Sequence, residues 1–356
     1  MRIAVAMSGG VDSSLTAVLL REMGHEIVGV TLNISLEKFS SRTIRPDLCC
    51  SPESIEDARR VAELYRFPHT VIDVEEEFIA EIVEPFCSEY LRGRTPNPCI
   101  HCNARIKFRN LMEQADEMRC DFLATGHYAR RKSSGGRFSV SMGADREKDQ
   151  SYFLFTLSQD LLSRVMFPLG EYHKQDIRKM ARERNLPVTE RPESQEICFV
   201  LDDDYAGFIE RQRSVIPPSG DIIDMQGNRI GTHRGIHRYT IGQRRGMRIS
   251  SQQPLYVLEI DPVRNVIIAG HREDLYRKGL VASEVSYMKR TDLNGVQALV
   301  KTRSTQPPVR SHIEERGDNI VINFEEPQES VTPGQAAVAY DDDGDILGGG
   351  WIERTF

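Results

Sequence analysis

Ser8-Gly9-Gly10-Val11-Asp12-Ser13-Ser14 stands between a run that reads as a strand and a run that reads as a helix. Ile3–Ala6 before it is short and apolar. Asp12–Met23 places Leu15, Val18 and Leu19 on one helical face and stops at Gly24. Strand, glycine turn and helix together make a βα unit. Its glycines let the backbone come close to an anion, and the hydroxyls and the N–H groups at the helix start can cradle oxygens. No Walker-A sequence, with its Gly-Lys-Ser/Thr ending, occurs here.

The same alternation continues outward. Ile27–Leu32 and Thr70–Val74 read as strands, as does Phe122–Gly126. Ser51-Pro52 opens a helix as N-cap and first-turn proline, with Ile55, Ala58, Ala62 and Tyr65 at helical spacing. Phe78, Ile82, Phe86 and Tyr90 mark another helix, and Ile106, Leu111, Ala115 and Met118 a further one. This pattern predicts an α/β fold with a parallel sheet and a ligand at the C-terminal ends of its strands. Near Asp202 the texture changes. Short β-like runs follow, among them Leu255–Ile260, Val266–Ala269, Ala298–Lys301, Ile320–Phe324 and Ala336–Tyr340, with Gly, Pro and Asn turns between them. Gly348-Gly349-Gly350 precedes the final Trp351-Ile352. The expected organisation is a catalytic domain at 1–205, a small connecting domain at 206–275 and an antiparallel β-barrel at 276–356.

A chain of 356 residues, 39% hydrophobic and 28% charged, belongs with globular proteins of two or three domains. No run approaches the roughly 20 apolar residues of a membrane helix. Met1-Arg2-Ile3-Ala4-Val5-Ala6 lacks a signal-peptide pattern, so a cytoplasmic protein is expected. Seven cysteines spread over this length do not form a disulfide framework, and in a reducing compartment paired cysteines suggest metal or catalytic use. The net charge of −7 speaks against nucleic acid only until its distribution is considered. Between Asn228 and Ser250 stand Arg229, Arg234, Arg238, Arg244, Arg245 and Arg248, with no acid among them. Recognition of a phosphate backbone needs only such a local surface.

The Ser8–Ser14 run resembles the pyrophosphate loop of the ATP pyrophosphatase superfamily. Those enzymes cleave ATP between the α and β phosphates and adenylate an oxygen of their substrate. That superfamily acts on many substrates, and the cysteines narrow the choice. Asn97-Pro98-Cys99-Ile100-His101-Cys102-Asn103 is a loop opening a helix, with Cys102 expected near the helix N-terminus, where the dipole favours a thiolate. A second candidate lies in Ser194-Gln195-Glu196-Ile197-Cys198-Phe199. Cys87 and Cys120, in apolar contexts, read as small hydrophobes.

Taken together, these motifs resemble the bacterial tRNA-specific 2-thiouridylases almost end to end. The resemblance also rests on Leu48-Cys49-Cys50-Ser51, Gly93-Arg94-Thr95-Pro96-Asn97-Pro98, Ile106-Lys107-Phe108 and Ala124-Thr125-Gly126-His127-Tyr128-Ala129-Arg130. Further matches are Lys148-Asp149-Gln150-Ser151-Tyr152-Phe153, Tyr239-Thr240-Ile241-Gly242-Gln243-Arg244 and Pro333-Gly334-Gln335. The resemblance implies a nucleotide-binding α/β domain followed by two β-rich domains, and an ATP- and Mg2+-dependent thiolation of the wobble uridine of tRNA. It implies Cys102 as catalytic nucleophile and Cys198 as persulfide carrier. ATP would be bound by Ala6, Met7, Ser8, Gly9, Gly10, Val11, Asp12 and Ser13, with Leu32 and Gly126 near adenine and ribose. Asn97, Pro98 and Cys99 would approach the target base. His127, Lys148, Asp149 and Gln150 would contact tRNA, as would Arg303, Ser304 and Gln335 from the barrel. The implied partners are tRNA and a sulfur donor, either a cysteine desulfurase or a relay protein, and a monomer is expected.

Two departures from the family pattern stand out. Ser304 stands where the family usually has an aromatic residue. Cys99 stands where many members have aspartate, and it completes a Cys-x-x-Cys. Three thiolates, Cys99, Cys102 and Cys198, can hold a 4Fe-4S cluster with one iron open. A persulfide and disulfide cycle with Cys99 as bystander is an equal alternative, and a zinc site using His101 or the Cys49-Cys50 pair ranks behind both. Two other functions use parts of the same pattern. A small-molecule synthetase would need the loop but not the cysteines, and a tRNA-binding or sulfur-carrier protein would not need an intact Ser8–Ser14.

Overall fold

The computed structural model describes residues 1–35, 39, 51–189, 197–200 and 204–356, so Cys49 and Cys50 and the stretch 190–196 lie outside the described residues. Contacts divide the chain into two compact units. One comprises Met1–Ile82, Cys99–Asp203 and Asp343–Ile346, and the other comprises Val83–Pro98, Asp204–Asp342 and Leu347–Phe356.

The first unit begins with β1 (Arg2–Ala6), α1 (Val11–Glu22), β2 (Glu26–Asn33), α2 (Pro52–Leu64) and β3 (His69–Asp73). Ser51 caps α2, its Oγ accepting from the Ser54 N–H at 3.1 Å, with Pro52 in the first turn. Next comes α3 (Glu75–Phe78), which runs through a π-helical turn at Ile79–Val83 into α4 (Glu84–Leu91). The cysteine-bearing helix is one continuous run: α5 (Pro98–His101), a π-helical segment at Cys102–Lys107, then α6 (Phe108–Glu117). After it come β4 (Phe122–Ala124), the hairpin β5 (Ala129–Ser134) and β6 (Arg137–Met142), α7 (Gln159–Arg164), β7 (Val165–Met166) and α8 (Lys174–Glu183).

The parallel sheet has the order β3-β2-β1-β4-β7. β1 is paired with β2 on one side, Ala6 opposite Val30, and with β4 on the other, Val5 opposite Ala124. The chain order therefore reverses between β1 and β4, and a topological switch point opens at their C-terminal ends. These strands are apolar runs because helices cover the sheet: Ile3, Val5 and Ile27 are fully buried against Leu15 and Val18 of α1 and Val61 of α2.

The second unit holds α4 and α9 (Tyr205–Arg213), followed by β8 (Gly220–Ile223), β9 (Arg229–His233), β10 (Tyr256–Asp261) and β11 (Val266–Gly270). These strands form a sheet in the order β10-β11-β8-β9 over a core of Ile222, Ile236, Tyr239, Val257 and Ile267. The six remaining strands close a barrel in the order β12-β15-β14-β13-β16-β17. They are β12 (Tyr276–Tyr287), β13 (Val296–Lys301), β14 (Val309–Arg316), β15 (Asn319–Glu329), β16 (Ala336–Tyr340) and β17 (Ile346–Thr355). The expected α/β domain followed by β-rich segments and a barrel is what forms. Gly348-Gly349-Gly350 does not break the chain but lies inside β17. A Cβ at Gly348 would come within 2.5 Å of the Ser286 carbonyl, and one at Gly350 within 2.7 Å of that of Ser283, so β17 needs these glycines to approach β12.

Candidate active site

The phosphate loop leaves β1 at the switch point. Its shape is set by short hydrogen bonds: the Ser8 N–H donates to Ser13 Oγ at 3.1 Å, and Ser13 Oγ donates to the Gly10 carbonyl at 3.1 Å. Gly9 has φ +73°, and a Cβ there would sit 2.1 Å from the Ser54 carbonyl, so only glycine fits beside α2. Gly10 is the N-cap of α1 and, among the described residues, supplies no side-chain cap. The first N–H groups of α1 thus remain available for an anion. Met7 is buried, and its carbonyl accepts from Thr31 Oγ1 at 2.7 Å. The adjacent β2 places Leu32 at 8% exposure.

Asp12 shows contacts the sequence did not reveal. Its carboxylate is gripped by Lys174 Nζ at 2.7 and 2.8 Å and accepts from the Tyr128 hydroxyl at 2.7 Å. Tyr128 follows Thr125-Gly126-His127, which exits β4 beside the loop. A Cβ on Gly126 would lie 2.9 Å from the Ser13 nitrogen, so the two backbones touch. Gln150 holds this segment: its Oε1 accepts from the Tyr128 N–H at 3.0 Å, and its own N–H donates to the Tyr128 carbonyl at 2.9 Å. Asp149 accepts from the Gly143 N–H at 3.0 Å and the Ser151 hydroxyl at 2.8 Å. Both residues, expected at the RNA, make internal bonds. Lys148 is half-buried beside them.

His127 links the loop to the cysteine helix. Its ring stacks on Phe108 of α6, centroids 5.8 Å apart, and meets Phe167 edge-on. Thr125 Oγ1 lies 2.8 Å from its Nδ1. The ring is half-buried by accessible surface, yet the packed neighbours remove most of its hydration. Burial, with the positive charge of Lys107, pushes its pKa down to about 3, so it is neutral at pH 7. Burial and Arg105 likewise push His101, beside Cys102, down to about 4.

Cys99 is exposed and Cys102 half-buried. The sequence pattern puts Cys102 near a helix N-terminus. The helix instead starts at Pro98, which places Cys99 in the first turn and Cys102 at the start of the π-helical segment. Because the dipole effect falls off within the first turn, it favours Cys99 more than Cys102. Asn103 donates from Nδ2 to the Phe153 carbonyl at 3.1 Å, docking this segment on the one that follows Gln150. Cys198 is half-buried, and its neighbour Phe199 is anchored edge-on against Phe78 of α3 at 5.6 Å. The π-helical segment of Cys102 also packs on α3, so both cysteines are carried by elements resting on one short helix. Among the described residues no group of three or more His, Cys, Asp or Glu side chains converges as a metal site. Cys99, Cys102 and Cys198 are therefore not gathered as cluster ligands here. Cys87 and Cys120 are buried, and burial pushes the Cys87 thiol up to about 11.

In the second unit, Asn97 is half-buried and Pro98 buried. Arg303 donates to the Ser330 carbonyl at 2.9 Å and to Thr332 Oγ1 at 2.7 Å, and Gln335 donates to the Thr95 carbonyl at 2.8 Å. Ser304 is half-buried. Of the six arginines between Asn228 and Ser250, Arg229 pairs with Asp221 and Arg238 with Glu210. Arg234, Arg244, Arg245 and Arg248 are exposed. Arg244 and Arg248 line a cavity of about 300 Å³ with Met247, Gln252 and Gln253.

Sequence motifs picked out the loop, the 125–128 segment and the cysteines, but they missed Lys174 and gave Tyr128 no role. Lys174 opens α8 within an ordinary amphipathic helix and carries no local signature.

Family models match the chain consecutively: the tRNA methyl transferase HUP domain over residues 1–202, the tRNA methyl transferase PRC-barrel domain over 207–271 and the aminomethyltransferase beta-barrel domain over 277–352. The chain is 48% identical to the tRNA-specific 2-thiouridylase MnmA of Geobacter metallireducens, covering 99% of this chain and 97% of that one. It is 46% identical to the protein of the same name in Geotalea uraniireducens, covering 99% and 95%, and 43% identical to that of Cytophaga hutchinsonii, covering 100% and 98%. With a switch-point phosphate loop, two cysteines on segments that pack against α3 and this identity along its whole length, the chain belongs to the tRNA-specific 2-thiouridylase family.

Proposed function

We infer that this chain is a tRNA-uridine 2-sulfurtransferase that uses ATP. The observation that carries the inference is the full-length identity to 2-thiouridylases together with an intact phosphate loop at the sheet's switch point. ATP would lie across Ala6–Ser13, with Leu32 and Gly126 flanking the base and sugar. Mg2+ would be held mainly by phosphate oxygens, as that ion prefers. The C2 oxygen of the wobble uracil attacks the α phosphate, pyrophosphate leaves, and the bare carbonyl oxygen becomes a phosphate ester that can depart. The terminal sulfur of a persulfide on Cys198 then forms the C–S bond as AMP leaves. The Cys102 thiolate attacks the inner sulfur, frees the thiolated base and ends in a disulfide with Cys198, which a thiol reductant reopens.

We write the reaction through this thiol pair because two cysteines suffice for it. If a cluster were bound, Cys99, Cys102 and Cys198 would be its ligands. The tRNA would rest on Asn97–Cys99, His127, Lys148 and the exposed arginines Arg234, Arg244, Arg245 and Arg248, with Arg303, Ser304 and Gln335 on the barrel. Asp149 and Gln150 would shape this surface through the bonds they make internally.

The test is thiolation of unmodified tRNA with a persulfide donor, with tRNA-dependent pyrophosphate and AMP release and iron content measured on the same anaerobic samples. Cys102→Ser and Cys198→Ser should each lose at least about a hundredfold in thiolation, while tRNA-dependent pyrophosphate release, which precedes the sulfur step, persists for the first turnover. Cys99→Ser should stay within about threefold of wild type. About four irons per chain, lost from Cys99→Ser together with activity, would replace the thiol pair by the cluster route. AMP release that ignores tRNA would point to a small-molecule synthetase instead.

A further inference from the structure

Lys174 lies 162 residues from Asp12 in the chain, yet its ammonium holds both Asp12 carboxylate oxygens, at 2.7 and 2.8 Å. The lysine side chain is 9% exposed, against 30% for Asp12. Two further contacts fix it. Its Nζ lies 5.5 Å from the Tyr128 ring centroid, and its backbone N–H donates to Asp145 Oδ2 at 2.9 Å. Tyr128 in turn donates its hydroxyl to the same carboxylate oxygen, Oδ1 of Asp12.

Helix stability alone does not explain this arrangement. An aspartate in the first turn of α1 is already favoured by the helix dipole, and a lysine with a buried stem is costly to desolvate. The location is what makes the pair useful. Asp12 sits in the loop whose N–H groups face the anion site, where an uncompensated carboxylate would cancel the positive end of α1 and repel phosphates. Lys174 removes that repulsion and pulls the carboxylate towards α8.

We propose that Lys174 is a positioning residue of the nucleotide site: it neutralises and orients Asp12 so that the phosphate loop accepts a polyphosphate. This rests on the ATP reading above. It acts through Asp12 and leaves tRNA binding untouched.

The test is a double-mutant cycle on the full-length chain, with ATP and Mg2+ binding followed by titration calorimetry and the KM values for ATP and tRNA followed by AMP release. Lys174→Met should weaken ATP binding by about tenfold or more and move the tRNA KM by less than about twofold. Asp12→Asn combined with Lys174→Met should bind ATP at least about threefold better than Lys174→Met alone, because the repelling charge has gone. Should Lys174→Met fail to fold, Asp12→Asn and the double variant decide, since neither leaves a carboxylate without its counter-charge. Equal affinities of those two support the proposal, and a further tenfold loss in the double variant overturns it by placing Lys174 on the ligand itself. ATP binding by Lys174→Met within about twofold of wild type overturns it as well. A wild-type chain that does not bind ATP would overturn the nucleotide reading, and this proposal with it.

Discussion

Gly9 shows how narrowly the site is defined at the residue scale. Its backbone lies at φ +73°, and its missing Cβ would fall 2.1 Å from the Ser54 carbonyl, a backbone atom that no rotamer change can move aside. Gly9→Ala should therefore pay both the left-handed penalty and an overpacking penalty, together about 2–4 kcal/mol of unfolding free energy. Gly24 supplies the control, with φ +85° and nothing within 4 Å of the place a methyl group would take, so Gly24→Ala should lose only about 1 kcal/mol. Urea titration measures both, and equal costs would show that α2 yields to the loop. The sequence made Gly9 legible as a glycine turn between a strand and a helix, although the Ser54 carbonyl that bars a side chain there belongs to distant α2. It could not reveal Lys174, whose reason is tertiary, a carboxylate in α1 reached from the first residue of α8. The position of Cys102 relative to the helix start was hidden for a related reason. Pro98 suits the first helical position, and the helix begins there rather than after the cysteine motif.

Among the elements, α8 matters beyond its packing because its first residue reaches the phosphate loop. Its N-cap, His173, makes no side-chain capping bond among the described residues, and Asp145 instead accepts from the Lys174 N–H at 2.9 Å. Asp145→Ala should cost about 1 kcal/mol, as the loss of a cap does, and raise the KM for ATP less than Lys174→Met does. Asp145→Asn, which keeps an acceptor, should restore most of both. Thermal unfolding and AMP-release kinetics on the same samples check this, and an unchanged melting temperature in Asp145→Ala would show that the start of α8 does not need this contact. The elements that were legible, such as β1, α1 and β2, are apolar runs with sharp polar or glycine boundaries, buried over consecutive residues. The π-helical turns at Ile79–Val83 and Cys102–Lys107 were not, because each flank keeps its own helical spacing and the one-residue slip between them is too local to read. The glycines of β17 read as punctuation because only the neighbouring strand explains them.

At the scale of the whole molecule, acid should act on this protein first through histidines. Burial holds His69 and His101 down to about 4 and His127 down to about 3, and His237 is also lowered, chiefly by burial. A histidine released by unfolding takes up a proton below about pH 6.5, whereas the folded site does not. The unfolded state then binds more protons, so stability rises with pH in this window and falls as pH drops from about 6.5 towards 4. Each such histidine contributes at most about 1.4 kcal/mol per pH unit. The lowered carboxylate of Glu353, held by Arg94 with a contact at 2.6 Å, has the opposite acid–base character but the same sign. Its contribution is present above its unfolded pKa, near 4.5, and is lost only below that, so the two classes separate along the pH axis. Urea unfolding at pH 8, 7, 6 and 5 should therefore give a plateau down to about pH 6.5 and a decline beneath it. The imidazole resonances of His69, His101 and His127 should stay unshifted across that decline. Stability that holds constant from pH 7 to pH 5 would mean that these three rings accept protons in the folded protein. The stacked, neutral His127 between the phosphate loop and the cysteine helix would then have to be abandoned.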